Sequence, residues 1–590
     1  MKPSMKLFLS AVLPALSLAA SNSTSVTVDA GTIQGAYCEG GQNAAYYKSI
    51  PYAEPPIGDL RFEPPKPYKK QFPNGKLDAT TPAPSCIQFG NQLVPPGAKS
   101  EDCLFLDVWT PSGASKDSKL PVKVWIYGGS NTNGGISDGL FDGCNTADDG
   151  SILVSINYRL GPLGFMALSG AGINGNQGIQ DLLLGLEWVH SNIAAFGGDP
   201  DKVLLFGQSA GAEDAFILAS LPQAPSLIHG LISESGGGKR LAFNSTLQSV
   251  GASYSQALHC DSDIKSCLQS KTVAELQRAY ATDAFLAQGI GADGPISIGT
   301  PGAHVFYPYV DGSVIPEEPL RHGSKVPAVF GFNKNEGVIY DLAQWSTYNT
   351  TAFTPSVYKT FLRKNFGPAA STVEKHYNLS SFGQTRDGIA AAISAVITDS
   401  NYKCPAYEGA VQTARSNIPV WSYEFTHNNT CAWMSSLSVL PKTAIPLIGA
   451  THTAEIPFVF GNLDRQPLPG GKCNGTEEEY ALSVQMMGLW TAMAENADPS
   501  TEAIQWPRFV AGEDYTTPGV VFEDEATVGE VDFSACELWS QVLAELGANG
   551  TVVTAEPTSS PSSSGGATVL PTFGGVLALV VLLMELAVFA

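Results

Sequence analysis

The feature that most restricts how this chain can fold is a strand, helix, strand run that ends in a glycine-framed serine. From Gly178 onward, Ile179, Leu182, Leu183, Leu186, Val189 and Ile193 recur at helical spacing until Gly197-Gly198 stops them. Val203 to Phe206 then reads as a buried strand, Gly207-Gln208-Ser209-Ala210-Gly211 follows, and helix-compatible residues run from Ala212 to Leu221. Pro121 to Tyr127, Ser151 to Asn157 and Val326 to Phe332 are further compact apolar, strand-like runs. This alternation predicts an α/β chain with a large, mostly parallel central sheet covered by helices on both faces.

A serine between a strand and a helix, flanked by glycines, has the layout of a nucleophile elbow, in which a tight turn lifts the hydroxyl toward substrate. The pentapeptide also fits a glycine-rich turn with a surface serine, since 60 of the 590 residues are glycine. A hydroxyl is a weak nucleophile at neutral pH, so such chemistry needs a base for the proton and donors for the oxyanion. Trp125-Ile126-Tyr127-Gly128-Gly129-Ser130 leaves an earlier strand in a glycine-rich loop whose N–H groups can converge with that of Ala210 on one oxygen. Glu336 lies in the polar turn after Val326 to Phe332, at a sheet end where catalytic groups collect. Eight histidines compete for the role of base, and pattern alone does not choose among them.

The formal charge of -22 excludes nucleic acid and anionic membrane surfaces as expected partners. Residues 1–20 begin with Lys2 and Lys6, continue through apolar Leu7 to Leu18 and reach Ala19-Ala20, the layout of a secretory signal peptide. Seven Asn-x-Ser/Thr sites agree with export: Asn22, Asn244, Asn349, Asn378, Asn428, Asn474 and Asn549. Ten cysteines in an exported chain read as disulfides rather than metal ligands. We expect a catalytic domain over 21–548, a Ser/Thr/Pro/Gly-rich linker over 549–568 and a hydrophobic tail over 569–590. Ser564, Gly565 and Gly566 before that tail match a glycosylphosphatidylinositol (GPI) anchor signal, the alternative being a permanent transmembrane helix. The expected location is therefore secreted or on the cell surface, with membrane contact only through the C-terminal anchor or tail.

Longer motifs carry a resemblance. Ser49-Ile50-Pro51-Tyr52-Ala53 with Leu60-Arg61-Phe62, Glu101-Asp102-Cys103-Leu104, Asn157-Tyr158-Arg159 and Phe196-Gly197-Gly198-Asp199-Pro200 accompany the elbow. With them the chain, from about residue 27 to 545, resembles the type-B carboxylesterase and lipase family, the cholinesterase-like α/β-hydrolases, in its secreted fungal form. The resemblance implies the α/β-hydrolase fold and a serine carboxylic ester hydrolase. Its acid would be Glu336, in Asn335-Glu336-Gly337, and its base His452, in Thr451-His452-Thr453-Ala454-Glu455. Ser209 would be the nucleophile, with Gly129, Ser130 and Ala210 holding the oxyanion. The partner would be a small-molecule ester, with no cofactor or metal required. The family also holds non-catalytic neuroligins, so an adhesion or binding protein stays an alternative, as does a lipase-type triglyceride hydrolase. The resemblance further implies disulfides Cys86–Cys103, Cys260–Cys267 and Cys404–Cys536, and structural ion pairs Arg61–Glu101 and Arg159–Asp181. Cys38, Cys144, Cys431 and Cys473 remain, with Cys431–Cys473 as a guess.

Three departures bear on substrate. Ser130 replaces the family's third oxyanion-loop glycine, Gln208 stands where many members carry Glu, and no Trp lies between Cys86 and Cys103, where cholinesterases keep an aromatic face for quaternary ammonium. Choline esters are therefore not the expected substrate. The stretch Ile87 to Asp102 carries Pro95-Pro96-Gly97 and no helical apolar repeat, so no amphipathic lid is expected there, unless Gly289 to Gly302 supplies the cover.

Overall fold

A computed structural model describes residues 24–546 except 40–42, 91–93, 242–243, 282–305, 340–353, 435–436, 438–441, 465–473 and 513. The expected signal segment, linker and tail, with Asn22, Asn349, Cys473 and Asn549, lie outside the described residues. Among the described residues no helix is long and apolar enough to cross a membrane.

Among the described residues, eleven strands form one mixed sheet. In chain order they are β1 (Ala36–Tyr37), β2 (Ala44–Pro51), β3 (Phe105–Pro111), β4 (Leu120–Ile126), β5 (Ile152–Ile156), β6 (Gly198–Gln208), β7 (Gly230–Glu234), β8 (Ala328–Asn333), β9 (Val420–Phe425), β10 (Thr516–Phe522) and β11 (Ala526–Asp532). Across the sheet they run β11-β10-β9-β8-β7-β6-β4-β5-β3-β2-β1. The central strands from β5 to β10 pair in parallel, and antiparallel strands close both edges. β4 and β5 are buried almost throughout, which is why both read as continuous apolar runs rather than alternating ones.

Parallel strands need crossovers, and the chain supplies helices for them. The periodic run forms α1 (Gln177–Asn192), and α2 (Ala210–Ser220) follows β6 directly. α3 (Cys404–Arg415) precedes β9, α4 (Glu477–Asn496) packs on β4, β6 and β7, and α5 (Ala535–Glu545) ends the described chain. Under the elbow the fully buried Trp125 of β4 meets Phe206 and Phe460 at 4.9 Å and Phe141 at 5.1 Å. Each large side chain buried in this way contributes about 1.5–3 kcal/mol. Because β4, β6, β7 and β8 are parallel, their C-terminal ends share one edge of the sheet, and there the candidate groups gather.

Both expected ion pairs are present. Arg61 grips Glu101 at 2.6 Å, and Arg159 meets Asp181 through Nε at 2.8 Å and a terminal nitrogen at 2.7 Å. Asp181 on α1 is fully buried and also accepts the Arg159 backbone N–H at 3.0 Å, so one carboxylate ties the loop after β5 to the helix. Replacing Asp181 by Leu leaves the buried guanidinium without a counter-charge, which costs about 3–5 kcal/mol. Urea unfolding should show that loss; a change below about 1 kcal/mol would mean the pair holds nothing.

Candidate active site

Ser209 joins β6 to α2 with φ 59° and ψ −128°, a conformation that L-residues avoid unless neighbours hold them in it. Its N–H donates to the Glu234 carbonyl at the end of β7 (2.9 Å), and its own carbonyl accepts the N–H groups of Ala212 and Glu213 at 2.9 and 3.0 Å. Gly211 permits the turn, because a Cβ there would lie 2.1 Å from the Ile126 carbonyl oxygen.

The loop leaving β4 crosses this turn. A Cβ on Gly128 would come within 2.8 Å of the Ser209 Cβ, so only glycine lets the loop approach. Gly129, Ser130 and Asn131 follow with φ of 111°, 55° and 56°, and Ser130 thus holds a left-handed conformation without being glycine. Buried Asn131 anchors the loop: its amide donates to Asp214 of α2 at 3.2 Å, and its oxygen accepts from Tyr158 at 2.9 Å. Among the described residues, the N–H groups of Gly129, Ser130 and Ala210 make no hydrogen bond. Donors left free beside a strained serine can bind a developing negative charge.

Glu336 and His452 come from two loops that are tied together. Asn335 N–H donates to the Ala450 carbonyl and Ile339 N–H to Thr451 Oγ1, both at 2.9 Å. Glu336 is fully buried; Oε1 accepts the Asn333 N–H at 2.7 Å, and Oε2 meets His452 Nδ1 at 2.6 Å. A proton on Nδ1 leaves Nε2 as the accepting nitrogen. The Gln208 amide nitrogen lies 3.4 Å from Nδ1 and 3.3 Å from Nε2, nearly equidistant, so it rests against the face of the imidazole. This contact joins the residue before Ser209 to the His452 loop. The Tyr402 ring also packs on His452, at 4.5 Å.

Several neighbours were not singled out from sequence. Glu213 and Asp214 on α2 are both buried, and Glu213 pairs with Lys239 in the loop after β7. Glu234 accepts the Trp490 indole N–H at 2.7 Å, and Glu455 bonds Asn333. The Glu213-Asp214 pair had a sequence signal, two carboxylates in the helix Ala210–Ser220 that is otherwise apolar all round. Glu234 and Glu455 had none, because only the folded chain brings them toward Glu336. Among the described residues no group of three His, Cys, Asp or Glu side chains is arranged to hold a metal ion.

The three family-implied disulfides are present, and Cys38 pairs with Cys144, which sequence reading left open. Cys431 is disulfide-bonded too, and the guessed partner Cys473 lies outside the described residues. Within the loop closed by Cys86 and Cys103 the described residues form no helix; Ser85–Cys86 instead pairs with Lys99–Ser100. The alternative cover, 289–302, lies outside the described residues. Asn244, Asn378, Asn428 and Asn474 are exposed.

A strained serine, a histidine and a buried glutamate on one edge of this sheet define the chain as an α/β-hydrolase. It matches the Carboxylesterase family over residues 22–528 and belongs to that family of carboxylic ester hydrolases. It is 31% identical to a para-nitrobenzyl esterase of Bacillus subtilis (strain 168), over 82% of this chain and 92% of that one. It is also 31% identical to a human cocaine esterase (80% and 82%) and to an acetylcholinesterase of Bungarus fasciatus (85% and 83%). A solved PNB esterase superposes with TM-score 0.69 at 29% identity, covering 88% of this chain and 99% of that one.

Buried carboxyls set a pH dependence of stability. Burial pushes Asp107 and Glu318 up to about 7, and burial with the neighbouring Glu336 pushes Glu455 up to about 8. Their stabilisation is complete below the unfolded-chain values near pH ~4 and is lost as pH rises through 7 to 8. Burial alone would push Glu479 up, but hydrogen bonds from His427, Thr430 and Thr476 outweigh it and hold it at about 2, so its stabilisation is lost as pH falls through that value. Calorimetry should find the highest Tm near pH ~5, with lower values near pH ~2 and pH ~8. A Tm that climbs from pH ~5 to pH ~8 would contradict this reading.

Proposed function

We propose that this protein is a secreted or cell-surface serine esterase that transfers the acyl group of a small ester to Ser209 and then to water. The observation that carries the reading is the 2.6 Å contact between Glu336 and His452 beside a serine held at φ 59°. His452 Nε2 takes the serine proton as Oγ attacks the ester carbonyl, and Glu336 stabilises the imidazolium formed. The N–H groups of Gly129, Ser130 and Ala210 bind the oxyanion. The imidazolium then protonates the leaving alcohol, and water attacks the acyl-enzyme by the same route. Only the neutral imidazole accepts the serine proton, so activity rises as pH rises toward neutrality.

The expected substrates are soluble esters of short or medium acyl chain. A loop over 87–102 without an apolar helical face offers an oil surface nothing to hold. The names of the relatives, which range over p-nitrobenzyl, cocaine and acetylcholine esters, support an ester hydrolase and leave the natural ester open. The decisive assay is release of p-nitrophenol from p-nitrophenyl butyrate. Ser209→Ala should lose at least about a thousandfold. Equal, slow hydrolysis by both proteins would favour a binding module instead. With tributyrin the rate should saturate smoothly below the solubility limit, whereas a jump when droplets form would reveal a lid.

The N-terminal segment 1–20 supports export, and Ser564 to Gly566 before the apolar tail support exchange for a GPI anchor. The catalytic domain then spans 21–548, and the mature chain carries sugar at its exposed sequons. Inositol-anchor-specific phospholipase should release the protein from membranes. Retained protein that still contains peptides beyond Val576 would assign a transmembrane tail.

A further inference from the structure

Helix α2 buries a charge that the mechanism above does not use. Glu213 lies one turn beyond Ser209, is 4% exposed, and forms an ion pair with Lys239. Its second oxygen, Oε2, has no hydrogen-bond partner among the described residues. Replacing a buried ion pair by apolar groups is often neutral or stabilising, so stability alone does not explain this one.

Position relates the pair to the base. Lys239 Nζ stands 5.0 Å from the centre of the Tyr402 ring, the ring that packs on His452 at 4.5 Å. Burial pushes the Glu213 carboxyl up, while Lys239 and, more weakly, His452 pull it down, so His452 lies within the carboxylate's electrostatic reach. Among the described residues, the imidazole also meets Glu336 through Nδ1, the uncharged Gln208 and Tyr402. Glu455 lies behind Glu336 and is held up by burial and by that carboxylate. Among the described residues, Glu213 is thus a carboxylate of the elbow helix linked to the His452 surroundings through Lys239 and Tyr402.

We propose that Glu213, held in place by Lys239, is a second acidic positioning residue for His452, supplying beside the imidazole the negative charge that Gln208 lacks. When the Ser209 O–H bond breaks, its proton passes to Nε2 and the imidazole gains one positive charge. A fixed carboxylate nearby lowers the free energy of that state and of the transition states leading to and from it. Lys239 opposes the upward push that burial exerts on this carboxyl.

This inference rests on the esterase reading, so its test runs Glu213→Gln beside Ser209→Ala. With p-nitrophenyl butyrate, Glu213→Gln should lower kcat roughly tenfold, leave KM nearly unchanged, and move the acid limb of the kcat/KM profile about one unit to lower pH. Glu213→Gln/Lys239→Met also removes the orphaned cation, and its limb should fall between those of the parent and the single variant. If the single variant fails to unfold cooperatively, the double variant carries the test. A folded variant with the parent's kcat and acid limb overturns the inference, while loss of activity in Ser209→Ala shows that the esterase reading itself stands. Activity retained in Ser209→Ala overturns both.

Discussion

The structure depends on the backbone of one residue, Ser209, held at φ 59° and ψ −128° between a strand and a helix. Such a conformation costs of order 1–3 kcal/mol and persists only where its surroundings over-determine it. Here β7 supplies the carbonyl that takes the Ser209 N–H, and the closeness of Ile126 to Gly211 forbids a side chain there. The sheet order places β4, β6 and β7 side by side, so strand pairing fixes the turn before any catalytic group enters the account.

The second constraint is electrostatic. Glu234, Glu336 and Glu455 lie buried behind the site, with Glu213 and Asp214 on the elbow helix. Water screens these charges poorly at such depth, so the chain manages them one by one. Glu336 has His452, Glu213 has Lys239 and Asp214 has Asn131, while burial keeps Glu455 protonated well into the neutral range. The groups around the imidazole are thereby fixed before substrate arrives, as catalysis by preorganised dipoles requires.

Much of this was legible in the residues. The runs read as strands at Pro121–Tyr127 and Ser151–Asn157 form at Leu120–Ile126 and Ile152–Ile156, and the periodic segment after Gly178 forms Gln177–Asn192. Buried parallel strands and amphipathic helices write their environment into local hydrophobic pattern, which makes them readable. The choice of His452 among eight histidines came from family motifs, since a lone imidazole carries no local signal. The ion pairs and three disulfides came the same way, whereas Cys38–Cys144 joins partners 106 residues apart that no motif linked.

The sequence by itself determined the alternation of elements, the elbow and the glycine loop facing it, because each depends on residues adjacent in the chain. Tertiary structure alone decided the electrostatic surroundings of His452. Glu213, Lys239, Tyr402 and His452 are spread over 239 residues of chain (452 − 213) and become neighbours only when α2 and the segments after β7, β8 and β9 converge on one sheet edge. Gln208 shows the difference. Read along the chain it marks a lost charge beside Ser209, but in the fold a carboxylate five positions on stands in the same neighbourhood, because a helical turn brings residue 213 back over the serine.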